Sequence, residues 1–372
     1  MRAVVVGPTY PFRGGIAHYT VELVRTLTSR GHAVSLISFR RQYPAWLYPG
    51  RTDRDPSQLV LKVDTQYLLD PLDPLSWVRT ARVITSVQPQ IAILQWWSPY
   101  WAPAFSALGL LLHLRRVPIL YMIHNTLPHE AHAGDRLLSR FALGFGTAFI
   151  TWTSEDRQRL LEMLPRSRVV QVPIPICTLP TNQSIPVSQA RQRLGIPPNI
   201  PVVLFFGFIR PYKGLRLLLE AAAELKRQGW PVCTVVAGEC WEDKSFYARF
   251  IDRLGLRDSV IWRDQYIPNE EVGMFFRAAD VFVAPYIETS PGAALTLAQR
   301  FGLPAIVSSG LIGNLAESSP DLYTLRELDV PSLCEAIHAL TNVRPSHQPA
   351  LVDERCGWET LAREIERLQA AI

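Results

Sequence analysis

The feature that most constrains the fold is an alternation of short apolar runs with helical patterns, present in both halves of the chain. Between the runs, apolar residues return at helical spacing, as at Ile16, Tyr19, Leu23 and Leu27. Such alternation is typical of strand, helix, strand units that build parallel sheets. A proline-rich stretch interrupts it near the middle of the chain. The pattern therefore predicts an α/β protein with two Rossmann-like, doubly wound parallel-sheet domains.

The apolar runs also set the expected domain boundaries. In the first half they lie at Ala3–Val6, Ala33–Phe39, Ile91–Gln95, Ile119–His124 and Ala148–Thr151. In the second half they lie at Val202–Phe206, Val232–Ala237, Val260–Trp262 and Val281–Pro285. We place a first domain at residues 1–176, a linker at 177–200 and a second domain at 201–352. A last helix at about 353–372 has an apolar stripe and is expected to pack back on the first domain.

Composition narrows the class of protein. A chain of 372 residues with 48% hydrophobic and 19% charged residues fits two packed domains rather than a disordered protein. Its five cysteines are scattered, without a Cys-x-x-Cys pair, which favours a reducing compartment. The sequence enters a strand directly after Met1 and shows no export signal. We expect a cytoplasmic protein with no nucleic-acid partner.

Charge is unevenly distributed. Residues 1–176 hold 19 basic against 11 acidic side chains, a net +8, and the remainder holds 19 against 22, a net −3. Together with the aromatic residues Trp96, Trp97, Tyr100 and Trp101, this basic half predicts peripheral contact with an anionic surface, such as the inner face of the cell membrane. A merely solvated basic surface and buried aromatics remain the alternative.

The most informative segment is the turn at residues 206–215, where Arg210 and Lys213 lie between a strand and a helix. A helix N-terminus is already partly positive, so cations there are unfavourable unless an anion offsets them. The placement indicates an anion site at the carboxyl end of a strand, which is where open α/β sheets bind ligands. Two solvated side chains on an ordinary turn are the simpler alternative.

Three further segments follow strands in the same way. Gly14 and Gly15 end a loop before a helix and leave backbone N–H groups open to a phosphate, although a plain tight turn explains them equally well. His124 lies where a buried strand ends, and a hydrogen-bonded core histidine is the alternative there. Glu288 precedes another helix start, where it could hold sugar hydroxyls or simply stabilise the helix.

Taken in order, these segments resemble the retaining glycosyltransferase family 4, also called glycosyl transferases group 1, which has the GT-B fold. The family-like stretches are Phe12–Ile16, His124–Glu130, Gly207–Leu215, Val236–Glu239, Ala279–Pro285 and Gly302–Val307. The resemblance covers nearly the whole chain. It implies two Rossmann-like domains facing a central cleft, with the acceptor bound by the first and a nucleotide-diphosphate sugar bound by the second.

The resemblance also implies residue roles. Arg210 and Lys213 would neutralise the leaving diphosphate, His124 would contact the transferred sugar, and Glu288 matches the first of the family's two glutamates. Donor-binding positions would be Gly14, Gly15, Gly207, Gly292, Ala293, Ala294 and Thr296. The reaction implied is transfer of a hexose, with retention of anomeric configuration, to a glycan, lipid-linked or small-molecule acceptor in polysaccharide or glycolipid biosynthesis.

The sequence departs from the family at the second glutamate, which usually binds the ribose. Thr296 stands at that position, and Gln299 is offered as a substitute. The departure motivates an alternative: a catalytically silent protein that binds a nucleotide sugar. A nicotinamide oxidoreductase is disfavoured because the Gly-x-Gly-x-x-Gly fingerprint is missing.

No metal and no cofactor beyond the sugar nucleotide, a co-substrate, are expected. A leaving phosphate oxygen can take the acceptor proton while cations stabilise its charge, so no external base is required. A metal-dependent transferase would want paired carboxylates beside a strand. The close copy at Asp53-Arg54-Asp55 is interpreted as a solvated turn.

Overall fold

A computed structural model describes residues 1–128, 134–176, 178–288, 292–309, 322–342 and 354–372, without the side chains of 354–356. It divides into two compact units. The first unit holds Met1–Asp55, the described residues between Leu61 and Thr178, and the C-terminal segment. The second holds Pro56–Val60 and the described residues between Leu179 and Asn342. The two parallel-sheet units confirm the predicted fold class.

The first unit is built on a parallel sheet of seven strands among the described residues, in the order β3-β2-β1-β4-β5-β6-β7. Its strands are β1 Arg2–Val6, β2 Ala33–Phe39, β3 Thr65–Leu69, β4 Ile91–Trp96, β5 Ile119–Ile123, β6 Ala148–Thr151 and β7 Val169–Gln171. Its helices are α1 Gly15–Ser29, α2 Pro74–Ser86, α3 Ala102–Leu114, α4 Asp135–Leu143 and α5 Ser154–Met163, with a 3₁₀ turn at Pro99–Trp101. Strand β4 is buried along its whole length, as expected for a strand covered by helices on both faces.

The second unit repeats the design with six parallel strands among the described residues, in the order β10-β9-β8-β11-β12-β13. Its strands are β8 Val202–Phe206, β9 Cys233–Ala237, β10 Val260–Arg263, β11 Val281–Ala284, β12 Ala305–Val307 and β13 Leu322–Thr324. Its helices are α6 Val187–Leu194, α7 Leu215–Arg227, α8 Lys244–Arg253, α9 Asn269–Ala278, α10 Ala293–Arg300 and α11 Val330–Thr341, with a 3₁₀ turn at Pro211–Lys213.

Two features differ from the expected boundaries. Helix α6 lies inside the segment interpreted as a linker, yet it packs against α9 and belongs to the second unit. Its Arg191 side chain forms a bidentate ion pair of 2.8 Å with Asp280, which explains the attachment. Residues 56–60 also join the second unit, where Ser57 Oγ accepts a hydrogen bond of 2.9 Å from the Asn269 backbone N–H.

The last helix, α12 (Glu354–Ala370), packs on α1 within the first unit. Its apolar stripe is buried: Trp358, Leu361, Ile365 and Leu368. Arg30 and His32 pair with Glu366 on its flank, with contacts of 2.8 and 2.7 Å. These partners, chiefly Arg30, lower the pKa of Glu366 to about 2.

The aromatic residues near Trp96 correct one expectation. Trp96 and Trp101 are completely buried, and Trp97 and Tyr100 are half-buried. Trp101 packs 4.3 Å from Phe39 between ring centroids, within the core of the first unit. The prediction that this group presents aromatics to a surface is therefore wrong for both fully buried members. No helix of the described residues is long and apolar enough to cross a membrane.

Candidate functional site

The turn after β8 is shaped by glycines. Gly207 has φ +105°, and Gly214 has φ +71° and directly precedes α7. A Cβ on Gly214 would lie 2.1 Å from the Pro285 carbonyl oxygen, and one on Gly238 would lie 2.0 Å from the Gly207 carbonyl oxygen. Both positions therefore require glycine, because a side chain would clash with backbone as well as strain φ. The ends of β8, β9 and β11 meet closely here.

Lys213 is the central side chain of this turn. It is only 9% exposed, its Nζ lies 5.5 Å from the centre of the Tyr286 ring, and the Nζ would be 2.8 Å from a Cβ on Gly207. Burial, and secondly the Arg210 charge, lower the pKa of Lys213 to about 8. Among the described residues no carboxylate or hydrogen-bond acceptor pairs with the Nζ. A buried ammonium without an anion is costly, so the turn is poised to bind one.

Arg210 adds a second positive charge. It caps the 3₁₀ turn in an extended conformation, and its guanidinium lies 5.4 Å from the centre of the Trp241 ring. Trp241 in turn stacks on Phe208 at 4.3 Å between centroids. Two cations held this close match a diphosphate, which carries charge on two adjacent groups. The predicted pair is thus brought together by one turn.

The segment after β11 adjoins the same turn. The Ile287 backbone N–H donates a hydrogen bond of 2.7 Å to the Tyr212 carbonyl oxygen, and Glu288 follows with an exposed side chain. Glu288 therefore lies in the second unit near the Lys213 turn. The next three positions of the predicted helix start, Thr289 to Pro291, lie outside the described residues, as do His129 and Glu130 of the family-like stretch in the first unit.

Helix α10 begins beyond that gap. Gly292 is its N-cap with φ +75°, and Ala293 and Ala294 are its first residues, whose N–H groups have no partner within a helix. Thr296 is completely buried, and its hydroxyl donates a hydrogen bond of 2.8 Å to the Ala293 carbonyl oxygen. Its side chain has no surface to offer a ribose, which argues against it as a donor ligand. Gln299, one turn later, is half-buried.

The glycine loop of the first unit lies at the start of α1. Gly14 is the N-cap with φ +110°, and Gly15 is the first helical residue and exposed. Arg13 is fixed beside them: its Nε donates to the Tyr48 hydroxyl at 2.9 Å and its backbone N–H to the Asp53 carbonyl oxygen at 3.0 Å. The glycines thus lie on a loop held in place by its neighbours.

The Asp53 to Asp55 segment is not the solvated turn expected. The Asp55 backbone N–H donates a hydrogen bond of 2.9 Å to the Pro11 carbonyl oxygen, and the Asp55 side chain is buried. Arg54 lies over the Phe12 ring at 4.6 Å. Through these contacts with Pro11 and Phe12, the segment stabilises the glycine loop. The sequence interpretation, which was based on the polarity of the segment, missed this structural role.

His124 follows β5 as predicted and is 5% exposed. Its Nε2 lies 2.6 Å from Gln95 Oε1, and its Nδ1 lies 3.3 Å from Trp152 Nε1. An indole N–H can only donate, so Nδ1 accepts the hydrogen bond from Trp152. Nε2 therefore carries the hydrogen of the neutral ring and donates a hydrogen bond to Gln95 Oε1. Burial lowers the pKa of His124 to about 3. The imidazole is therefore neutral in a fixed tautomer, with both nitrogens bonded within the protein.

Gln95, Trp152 and Tyr19 complete this cluster and were missed by the sequence analysis. Tyr19 packs 6.4 Å from His124 and 6.1 Å from Trp152 between ring centroids, which links α1 to the histidine. Gly7 leaves room for Gln95, since a Cβ there would lie 2.5 Å from Gln95 Cγ. One signal was available: Gln95 is the polar residue in an otherwise apolar strand.

The predicted residues thus form two groups, each within one unit. Gly14, Gly15 and His124 belong to the first unit, while Gly207, Arg210, Lys213, Glu288, Gly292, Ala293, Ala294 and Thr296 belong to the second. The second group contains the neighbouring cations Arg210 and Lys213, which make it a candidate anion site. The first group contains a rigid, neutral histidine and an exposed glycine loop.

Two family models match this chain in succession. The Glycosyltransferase Family 4 model matches residues 13–178, and the Glycosyl transferases group 1 model matches residues 187–319. The chain belongs to glycosyltransferase family 4. The second model covers the anion site of this family member, and the first covers His124 and both glycines.

Two curated relatives and one solved structure show the range of similarity. D-inositol 3-phosphate glycosyltransferase 2 of Catenulispora acidiphila is 33% identical over 140 residues, 36% of this chain and 32% of that protein. The 2-deoxystreptamine glucosyltransferase of Streptomyces kanamyceticus is 26% identical over 262 residues, 68% of this chain and 65% of that protein. The chain thus matches about a third of the length of the first relative and less than two thirds of the second.

The structural similarity extends further than the sequence similarity. HepE of Anabaena, solved in complex with UDP and glucose, superposes with a TM-score of 0.73 at 16% identity and covers 100% of both chains. At that identity the comparison shows a shared fold. It agrees with the GT-B architecture that the family resemblance implies.

Proposed function

We propose that the protein transfers a hexose from a nucleotide-diphosphate sugar to a hydroxyl group of an acceptor, with retention of anomeric configuration. The observation that carries this proposal is the buried Lys213 ammonium beside Arg210 at the end of β8, which pairs with no carboxylate in the part of the chain that the structure describes. Family membership adds the reaction class, and the UDP and glucose in the HepE complex support a sugar nucleotide as donor. The acceptor class is a glycan, a lipid-linked sugar or a small polyol. The Catenulispora and Streptomyces relatives are named for inositol 3-phosphate and 2-deoxystreptamine.

The charges suggest how each group acts. Lys213 and Arg210 bind the donor diphosphate, and their attraction strengthens as the bond to the sugar breaks and charge grows on the leaving oxygen. That oxygen then takes the acceptor proton. His124 is unsuited to act as the base, because its Nδ1 already accepts a hydrogen bond and its pKa lies at about 3. We assign His124 a role as an uncharged imidazole whose fixed ring contacts the transferred sugar.

Donor turnover tests the proposal. We would measure nucleotide release from a panel of sugar nucleotides with the wild type and with the Arg210→Ala/Lys213→Ala double variant. Lys226→Ala is the matched control, since Lys226 is an exposed lysine of the same unit whose Nζ donates to the Gly255 carbonyl oxygen at 2.6 Å. Loss of both turnover and nucleotide affinity in the double variant alone is expected. Unchanged turnover and affinity would contradict the proposal.

Two further measurements separate its parts. Proton NMR of the product formed from an α-linked donor should show an α-linked anomeric proton, and a β-linked product would exclude retention. Turnover should persist in EDTA if no metal is required. A protein that binds nucleotide sugars but shows no hydrolysis or transfer with any donor of the panel would instead be the silent alternative.

A further inference from the structure

The first unit carries an apolar surface that its core does not use. On α4, Leu137 is 72% and Phe141 is 65% exposed, and Leu138 beside them is also exposed. On α3, Leu110 and Leu114 are exposed, and α3 packs directly against α4. We call these five residues the α3–α4 face. A contiguous group of large exposed hydrophobic side chains is unusual on a surface that contacts only water.

Three residues of the face, Leu110, Leu138 and Phe141, line a groove of about 300 Å³ together with Ala102, Pro103, Ser106, Ala107 and Phe145. Gly109 permits this packing, because a Cβ there would lie 2.8 Å from Phe145 Cβ. The segment that follows α4 can therefore pack closely against α3.

A second exposed apolar element borders the same part of the fold. After β2 the chain forms a loop in which Leu47 is exposed and Trp46 is 80% exposed. Tyr43 anchors this loop by packing 5.2 Å from Tyr100, between ring centroids, in the 3₁₀ turn Pro99–Trp101. That turn packs against both α3 and α4. The Trp46 loop and the α3–α4 face thus adjoin one structural element.

Positive charge flanks the apolar surface. Arg115 and Arg116 follow α3 and Arg140 lies on α4, all three exposed and without an ion-pair partner among the described residues. Arg136 on α4 makes only a long contact of 3.9 Å with Glu162. Exposed apolar groups ringed by unpaired arginines complement a surface that is anionic outside and apolar beneath.

We propose that the α3–α4 face and the Trp46 loop dock on an anionic phospholipid bilayer, with the helices lying in the interface. The leucines and Phe141 enter the acyl boundary, Trp46 lies at headgroup depth, and Arg115, Arg116 and Arg140 contact lipid phosphates. This surface differs from the buried Trp96 and Trp101 group that the sequence suggested. It would bring a lipid-linked acceptor to the first unit.

Vesicle flotation tests the docking. Wild type should float with vesicles of equal parts phosphatidylcholine and phosphatidylglycerol at low salt, release at high salt, and bind pure phosphatidylcholine much less. Leu137→Asp/Phe141→Asp should abolish flotation, while the control Ile372→Asp, an exposed apolar residue of the same unit, should leave it unchanged. Because the changed residues are exposed, the variants should keep the wild-type melting temperature.

Charge and tryptophan variants sharpen the test. Arg115→Gln and Arg140→Gln should each weaken binding to the anionic vesicles about fivefold, and the exposed Arg363→Gln should not. Vesicles should shift the tryptophan fluorescence of wild type to shorter wavelength, because Trp46 leaves water. This shift should be smaller in Trp46→Phe. Lys213→Met should bind vesicles like wild type, so failure of the docking is distinguishable from failure of the proposed transfer.

Three results would overturn the docking. The first is a wild type that binds neither kind of vesicle, and the second is a Leu137→Asp/Phe141→Asp variant that binds as wild type does. The third is a wild-type dimer in sedimentation that this variant dissociates, which would show that a second copy of the chain covers the face.

Discussion

Replacing Lys213 with methionine should stabilise the protein while removing its anion site. The side chain is buried and has no partner for its charge among the described residues. Its pKa falls from the ordinary 10.5 to about 8, and each pKa unit corresponds to about 1.4 kcal/mol. Holding the ammonium charged in the folded state therefore costs about 3 kcal/mol, which the uncharged methionine of similar length avoids.

The stability gained by Lys213→Met should depend on pH, because the pKa of Lys213 is lower in the folded than in the unfolded state. A base whose pKa is lower in the folded than in the unfolded state carries its full penalty below the folded value, here about 8. The penalty fades as pH rises from about 8 toward 10.5, because in this range the folded state has released the proton while the unfolded chain still holds it, and removing that proton costs less as pH rises. Thermal unfolding at neutral pH should show a higher melting temperature for Lys213→Met than for wild type, and the difference should shrink in alkaline buffer.

The same substitution that raises stability should weaken the binding of UDP. UDP should raise the melting temperature of wild type and leave that of Lys213→Met nearly unchanged, because binding to the folded state stabilises it. In wild type the UDP affinity should fall above about pH 8, approaching tenfold per pH unit. Lys226→Met, whose ammonium is exposed, should show neither effect. The reasoning fails if Lys213→Met is less stable than wild type at neutral pH, or if it keeps the response to UDP.

Other predictions concern stability and titration. Gly238→Ala should destabilise the second unit in urea unfolding, since the new Cβ would meet the Gly207 carbonyl oxygen at 2.0 Å; an unchanged midpoint would contradict this. Arg191→Met should cost about 3 kcal/mol, because the Asp280 carboxylate, 13% exposed, loses its ion pair and keeps the hydrogen bond from the Val202 backbone N–H; an unchanged free energy of unfolding would contradict this. The NMR signals of His124 should not titrate near neutral pH, and as pH falls from about 6.5 toward 3 wild type should lose stability relative to His124→Gln.

Much of the fold was predictable because long buried strands dominate both sheets. The observed bounds of β1, β2, β4, β5 and β6 agree with the apolar runs to within a residue or so. The strands missed were short ones. β3, Thr65–Leu69, is half exposed and lies at a sheet edge, so its sequence shows no continuous apolar run. Strands β7, β12 and β13 have three residues each, too few for a pattern.

The candidate site was predictable to different depths in the two units. The ends of strands can be predicted from the apolar runs. Lys213 and His124 follow such runs, so their positions in the fold could be predicted. Their environments could not be inferred. Burial of Lys213 depends on Tyr286, which is distant in sequence, and the tautomer of His124 depends on Gln95 and Trp152 from flanking parts of the sheet. Contacts between residues so far apart leave no local pattern.

The two predicted groups also differ in what the fold has left unsatisfied. At His124 both ring nitrogens have partners, and the surrounding residues stabilise one neutral state. At Lys213 no described carboxylate neutralises the buried charge, and Gly207, Gly214 and Gly238 are needed to bring the three strand ends together around it. The buried charge of Lys213 therefore favours a binding function in the second unit more strongly than His124 favours one in the first.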